Sequence, residues 1–448
     1  MFFLIFMIFF ASSCSGTSNK EGNRDSSTKV EKLSEDSLLT LVEYRTFLYF
    51  WDGAEPVSGM ARERFHVDNV YPENDKNVIT IGGSGFGVMA MLVGIERGYI
   101  SRHEGFTRLR KNVDFLKSAD RFHGAWSHWL FGETGKVKPF GTKDNGADIV
   151  ETAYMIQGLL AVRQYFKDGN DQEKLLASDI DKLWREVEWS WFTKGGEKVL
   201  YWHWSPSYGW EMNFAIRGYN ECLILYVLAA SSPTYPITAD VYHQGWAQSG
   251  GIKKTIEKYG YTLNLKHNGA EEYGGPLFWA HYSYLGLDPR GLSDRYADYW
   301  AHNKNQTLIN RQWCIKNPGH FAEYSDKCWG LTASYSINGY SAHAPGEKND
   351  LGVISPTAAL SSFPYTPEYS MEALKHFYYA LGDSIYGKYG FYDAFSVQNK
   401  WYPKHYLAID QGPVVVMIEN YRSGLLWKLF MSCPEIGKGL KKLDFTRK

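Results

Sequence analysis

From Leu38 onward the chain repeats one pattern, apolar segments of helical length separated by long loops rich in glycine, proline and aromatic residues. The periodicity predicts helices over 38–50, 84–97, 103–118, 148–166, 172–189, 218–230, 276–285, 292–316, 369–381 and 412–431. Weaker segments at 251–258 and 327–335 would bring the total to about twelve. Strand signals are sparse, with 198–204 the best case, which argues against a sheet-based fold. Near-uniform helix spacing with no internal linker predicts one all-α domain over 37–448. The expected architecture is a barrel of paired helices, with inner helices around a cavity and long loops forming its rim.

The ten residues from Met1 to Phe10 are almost wholly apolar and run into Ala11-Ser12-Ser13-Cys14, as in a bacterial lipoprotein signal. The stretch is too short for a permanent membrane span and lacks the usual early Lys or Arg. The expectation is a signal over 1–13, lipidation at Cys14, and a polar tether over 14–36. An exported lipoprotein would touch the membrane only through its lipid, facing the periplasm or the outer surface. Cys222, Cys314, Cys328 and Cys433 show no zinc-site spacing, and an oxidising compartment would permit Cys314 to pair with Cys328.

With 48 Lys and Arg against 49 Asp and Glu, the net charge of −1 provides no field for a polyanion, so nucleic acid is not an expected partner. The 32 Tyr and 16 Trp join a flat apolar face to a polar tip, as sugar binding requires, although many such rings simply pack helices. The Gly82-Gly83-Ser84-Gly85-Phe86-Gly87 run matches neither GxGxxG nor a P-loop; it reads as close backbone approach at a helix start. No HExxH and no GxSxG occurs, and neither a metal nor a cofactor is expected.

Two acidic islands carry candidate chemistry. In the first, Asp144-Asn145-Gly146-Ala147-Asp148-Ile149-Val150-Glu151, Asp148 begins a helix and Glu151 follows at the third position, a pattern that a capping box explains equally well. The second runs from Trp202 through Trp204, Trp210, Glu211 and Asn213 to Glu221, setting carboxylates among aromatic and amide groups. Glycoside hydrolysis needs a protonated acid for the leaving oxygen and a carboxylate to activate water or attack directly, and two islands meet that need. β-Elimination by Tyr219, His203, Arg217 or Asn213 is the rival chemistry. Asp410, beside the apolar 414–418 run, is either a structural hydrogen-bond hub or a site residue.

Several blocks resemble the bacterial glucoamylase-like family that includes endo-β-1,2-glucanases: 46–52, Pro56 through Arg64, the Gly82 run, 144–152, 204–221, Glu272 through Phe278, and 409–427. The resemblance implies an α/α six-fold barrel that cleaves β-1,2-glucan with inversion, using Glu221 as general acid beside the triplet Asp144, Asp148 and Glu151. Asp144 or Asp148 would be the base. Asn145 stands where relatives are expected to carry Asp. Trp51, Trp202, Trp204 and Trp210 would stack on sugar, with Arg62, Glu211, Asn213 and Asp410 as further contacts. A monomer is expected. The alternatives are an exo-acting or other-linkage glycosidase, or an inactive surface glycan-binding lipoprotein.

Overall fold

The computed structural model describes residues 32–269 and 272–447. The expected signal, Cys14 and most of the tether lie outside the described residues. Residues 35–448 form one compact unit.

The unit is mostly helical. Its helices are α1 (Glu35–Trp51), α2 (Ile81–Glu96), α3 (Arg102–Ser118), α4 (Ile149–Phe166), α5 (Asp171–Arg185), α6 (Leu223–Ser231), α7 (Tyr299–Lys316), α8 (Pro356–Ser361), α9 (Pro367–Tyr379), α10 (Gly382–Ile385), α11 (Ala408–Arg422), α12 (Leu425–Met431) and α13 (Pro434–Lys442). Two kinds of helix alternate. In α2, α4, α6, α8 and α11 nearly every side chain is buried, as expected of segments surrounded by other helices. In α3, α5, α9 and α13 one apolar stripe is buried and the other face is polar. The buried helices are neighbours: α2 packs against α4 and α11, α4 against α6, and α11 against α8. Amphipathic partners cover them, with α3 on α2, α5 on α4, α13 on α6 and α9 on α8.

Local chemistry sets the helix starts. Ser101 and Asn170 open α3 and α5 with capping boxes in which Glu104 and Glu173 bond back to the cap residue. Glycine sets the closest helix crossing. A Cβ on Gly158 of α4 would lie 2.1 Å from the Gly85 carbonyl oxygen of α2, and one on Gly85 would lie 2.4 Å from the Tyr154 carbonyl oxygen.

Several expectations are corrected. The 84–97 helix starts earlier, at Ile81, so the Gly82 run forms the first turns of α2, where neighbouring atoms approach its backbone closely. The predicted 251–258 helix is a strand, Lys253–Lys258, paired antiparallel with Tyr261–Leu265 in a largely exposed, charged hairpin. The 327–335 segment ends in the strand Ala333–Ser336, hairpinned to Gly339–Ala342. The 276–285 segment forms two short 3-10 turns, Leu277–Ala280 and Tyr282–Tyr284. The 412–431 helix is two helices, broken where Gly424 adopts φ +70°. In 198–204 only His203–Trp204 is a strand. Cys222, Cys314, Cys328 and Cys433 are all buried and free, so Cys314 and Cys328 are not bridged here. Among the described residues no helix is long and apolar enough to cross a membrane.

Candidate active site

Asp148 is the N-cap of α4. Its carboxylate accepts from the backbone N–H of Val150 (3.0 Å) and Glu151 (2.9 Å), from Trp202 Nε1 (3.1 Å) and from His128 Nδ1 (3.1 Å). The residue has no solvent exposure. Burial alone would raise its pKa, but the hydrogen bond and charge of His128, with His203 and the Glu151 N–H, outweigh it and hold the carboxyl below its ordinary value. His128 is the counterpart. Burial disfavours its charge, yet Glu151, Asp148 and Asp144 overcome this and push the imidazole up to about 9, so it is an imidazolium at neutral pH.

Glu151 departs from the capping box that its spacing suggested. At Ser101 and Asn170 the third-position glutamate turns back to the cap; Glu151 instead accepts from the Gly82 N–H (2.7 Å) and Thr80 Oγ1 (3.4 Å). Its other oxygen lies 4.0 Å from His128 Nε2. Burial, reinforced by Asp148, raises its pKa against the pull of His128 and these donors. Asp144 is likewise raised by burial and by Asp148, and its carboxylate lies 3.6 Å from His203 Nε2.

Glu221 stands two residues ahead of α6, whose first residue is Leu223. Its backbone carbonyl is fixed by Ser283 Oγ and by Tyr154 OH at 3.4 Å. Burial first, then the charge of Glu151, raises its carboxyl to about 7.

Glu151 and Glu221 share the wall of one cavity of ≈390 Å³. Trp129, Phe140, Trp202, Phe278, Tyr282 and Tyr335 supply much of its surface, and Glu63, Arg64 and His128 add polar groups. This aromatic lining is the physical source of the carboxyl shifts, because it removes water from the charged form. Two wider hollows of ≈600 and ≈680 Å³ lie elsewhere; their Glu272 and Glu186 are ion-paired and exposed, with Lys258 and Arg121.

Other predicted contacts are placed elsewhere. Trp202 lines the cavity, whereas Trp51 packs beneath Arg108 (4.4 Å) and Arg62 donates to the carbonyls of Gly53, Ala54 and Lys76. Trp204 sits against His123 (5.0 Å), and Trp210 against Phe192 (6.0 Å) and Tyr201 (6.1 Å). Glu211 pairs with Lys143 (2.5 Å), and Asn213 accepts from Lys194 (2.7 Å). Asp410 accepts from Tyr282 OH (3.2 Å), one layer behind the wall. Glu63, Arg64, His128, Tyr282 and Tyr335 were not among the predicted contacts. Glu63 and Arg64 stood inside a matched block, but His128, Tyr282 and Tyr335 come from separate segments, the latter two from a 3-10 turn and a hairpin strand, with no spacing signal. Ligand atoms of His128, Asp144 and Asp148 lie within 4.8 Å of one another, a set able to approach a cation. The oxygens of Asp148 are already occupied by four donors, so the grouping holds together through imidazolium and hydrogen bonds.

A cavity walled by aromatic rings, with the half-buried Glu221 and the buried Glu151 set in an otherwise apolar helical core, is the arrangement of a glycoside hydrolase. The family model described as "Putative glucoamylase" matches residues 213–434. A structure of the endo-β-1,2-glucanase from Chitinophaga pinensis, in complex with sophorotriose and glucose, is 71% identical with a TM-score of 0.92, covering 93% of this chain and 99% of that one. A putative glucoamylase structure from Bacteroides caccae is 61% identical with a TM-score of 0.91, covering 93% of this chain and 100% of the other. The exo β-1,2-glucooligosaccharide sophorohydrolase (non-reducing end) of Parabacteroides distasonis is 45% identical over 430 residues; the match takes in 92% of this chain but only 58% of that protein's length. The endo-β-1,2-glucanase of Talaromyces funiculosus, 11% identical with a TM-score of 0.65 and coverage of 92% and 91%, shares the fold. The chain belongs to the glucoamylase-like family.

Proposed function

We propose that this protein hydrolyses β-1,2-linked glucan within the chain and with net inversion, on a barrel of six helix pairs. The inner segments α2, α4, α6, the Leu277–Tyr284 turns, α8 and α11 support the six-fold reading. The observation that carries the activity is Glu221, a carboxyl raised to about 7 on an aromatic cavity wall that it shares with Glu151. Glu221 donates its proton to the glycosidic oxygen as the bond to the anomeric carbon breaks. A water attacks that carbon from the other face and loses its proton to a carboxylate of the Asp144–Glu151 cluster. Within the cluster Glu151 is the carboxylate that reaches the cavity. Asp148, filled by four donors, positions it and keeps His128 charged. The resemblance to the Chitinophaga protein supports the linkage and the endo mode. The Parabacteroides relative supports exo action as the second reading.

Purified protein is offered β-1,2-, β-1,3- and β-1,4-glucans, and the products are followed by size and by anomeric NMR. A mixture of β-1,2 oligosaccharides released with the α-anomer first supports the reading. Disaccharide alone from the outset favours exo action, and release only from another glucan overturns the linkage.

A further inference from the structure

The strand Arg64–His66 pairs antiparallel with His405–Leu407, setting Arg64 opposite Leu407 and His66 opposite His405. Arg64 and Leu407 line the catalytic cavity; His66 and His405 line a second cavity of ≈270 Å³. Two residues along this ribbon is a step of about 7 Å, the scale of one pyranose ring. The two cavities share Arg64 and Tyr335. The Arg64 guanidinium lies 5.8 Å from the Tyr335 ring centroid and 5.9 Å from that of Trp129, and it bonds Glu63 and Asp75, the latter at 3.3 Å. Beyond this pair the second cavity offers Trp401, the Ser336 hydroxyl and the carboxylates of Glu73 and Asp75. Flat rings beside hydroxyl and carboxylate acceptors, with Asp75 already paired to Arg64, suit a neutral polyhydroxylated ligand.

We propose that the second cavity is a glucan subsite, in which further glucosyl units of the same chain pass the Arg64–Tyr335 pair and stack on Trp401. This rests on the glucanase reading and deepens it, since a chain held on both sides of that pair is longer than the catalytic cavity alone accommodates.

The test compares the full-length protein with Trp401→Ala and Trp401→Phe on long β-1,2-glucan and on the shortest oligosaccharide cleaved. Trp401→Ala should lower the long-to-short ratio of kcat/KM about tenfold, chiefly through KM, and Trp401→Phe should restore most of it. An unchanged ratio overturns the subsite. Absence of turnover by the parent protein counts against the glucanase reading separately. Calorimetry with Glu221→Gln, with and without Trp401→Ala, then makes the same length comparison by binding: a tenfold weaker affinity confined to long chains supports the subsite, and equal affinities overturn it.

Discussion

The backbone N–H of Gly82 donates to Oε2 of Glu151 at 2.7 Å, and a Cβ at position 82 would lie 2.5 Å from that same oxygen. One glycine therefore both holds the cavity carboxylate and leaves it room. Gly82→Ala should displace Glu151 and lower kcat on β-1,2-glucan by about 10²-fold, the cost of misplacing a reacting group by about an ångström. Near-parent kcat in a folded Gly82→Ala protein would refute the role given to Glu151.

Glu221→Gln removes the proton donor but preserves shape. We expect kcat to fall by about 10³-fold or more, with the thermal transition nearly unmoved. In the parent protein the acid must be protonated, so activity should decline as pH rises through about 7, the value to which burial brings Glu221. A pH profile flat from 6 to 9 would contradict the assignment.

Asp148→Asn leaves a helix cap but removes the buried negative charge facing His128. Breaking such a pair costs about 3–5 kcal/mol, which differential scanning calorimetry should register as a lower Tm together with lost activity. If activity falls while Tm stays, Asp148 takes part in the chemistry directly and does more than position Glu151.

His128, raised from 6.5 to about 9 in the folded protein, binds its proton more tightly folded than unfolded. Its contribution to stability is complete below pH 6.5 and is lost as pH rises through about 9. Glu43, raised to about 7 by burial and by Glu419, acts in the same direction from 4.5 upward. Tm should therefore fall between pH 6 and 9, and His128→Gln should flatten the upper part of that slope.

The expected lipid anchor is tested in the native host. Cys14→Ser should move the protein from the membrane fraction to the soluble fraction and abolish palmitate labelling. Persistence in the membrane fraction without label would indicate another means of attachment.

Much of the fold is legible in the sequence because the inner helices are apolar on nearly all sides; α4 carries that signal at almost its true bounds, whereas the same apolar run merged α11 with α12 across Gly424. The two weak helices failed for local reasons. Both 253–258 and 333–336 are held by hairpin partners, Tyr261–Leu265 and Gly339–Ala342, that periodicity does not encode. At the site, the spacing of Asp148 and Glu151 is that of a capping box, and only the turn of Glu151 toward Gly82 distinguishes the two uses. The predicted stacking residues suffered from a different ambiguity. Trp204 and Trp210 share a segment with Trp202, but Trp202 alone faces the cavity. His128, just before the strand Trp129–Phe131, and Tyr335, in the strand Ala333–Ser336, lie outside both acidic islands, and their approach exists only after the helices close.

The four described cysteines are buried and unbridged, and burial pushes their thiols upward. Each sulfur is thus a protonated hydrocarbon-like group, poorly nucleophilic and shielded from oxidants. Among the described residues no disulfide contributes to the stability of the fold. Excess dithiothreitol should therefore leave the unfolding transition of the folded unit where it was.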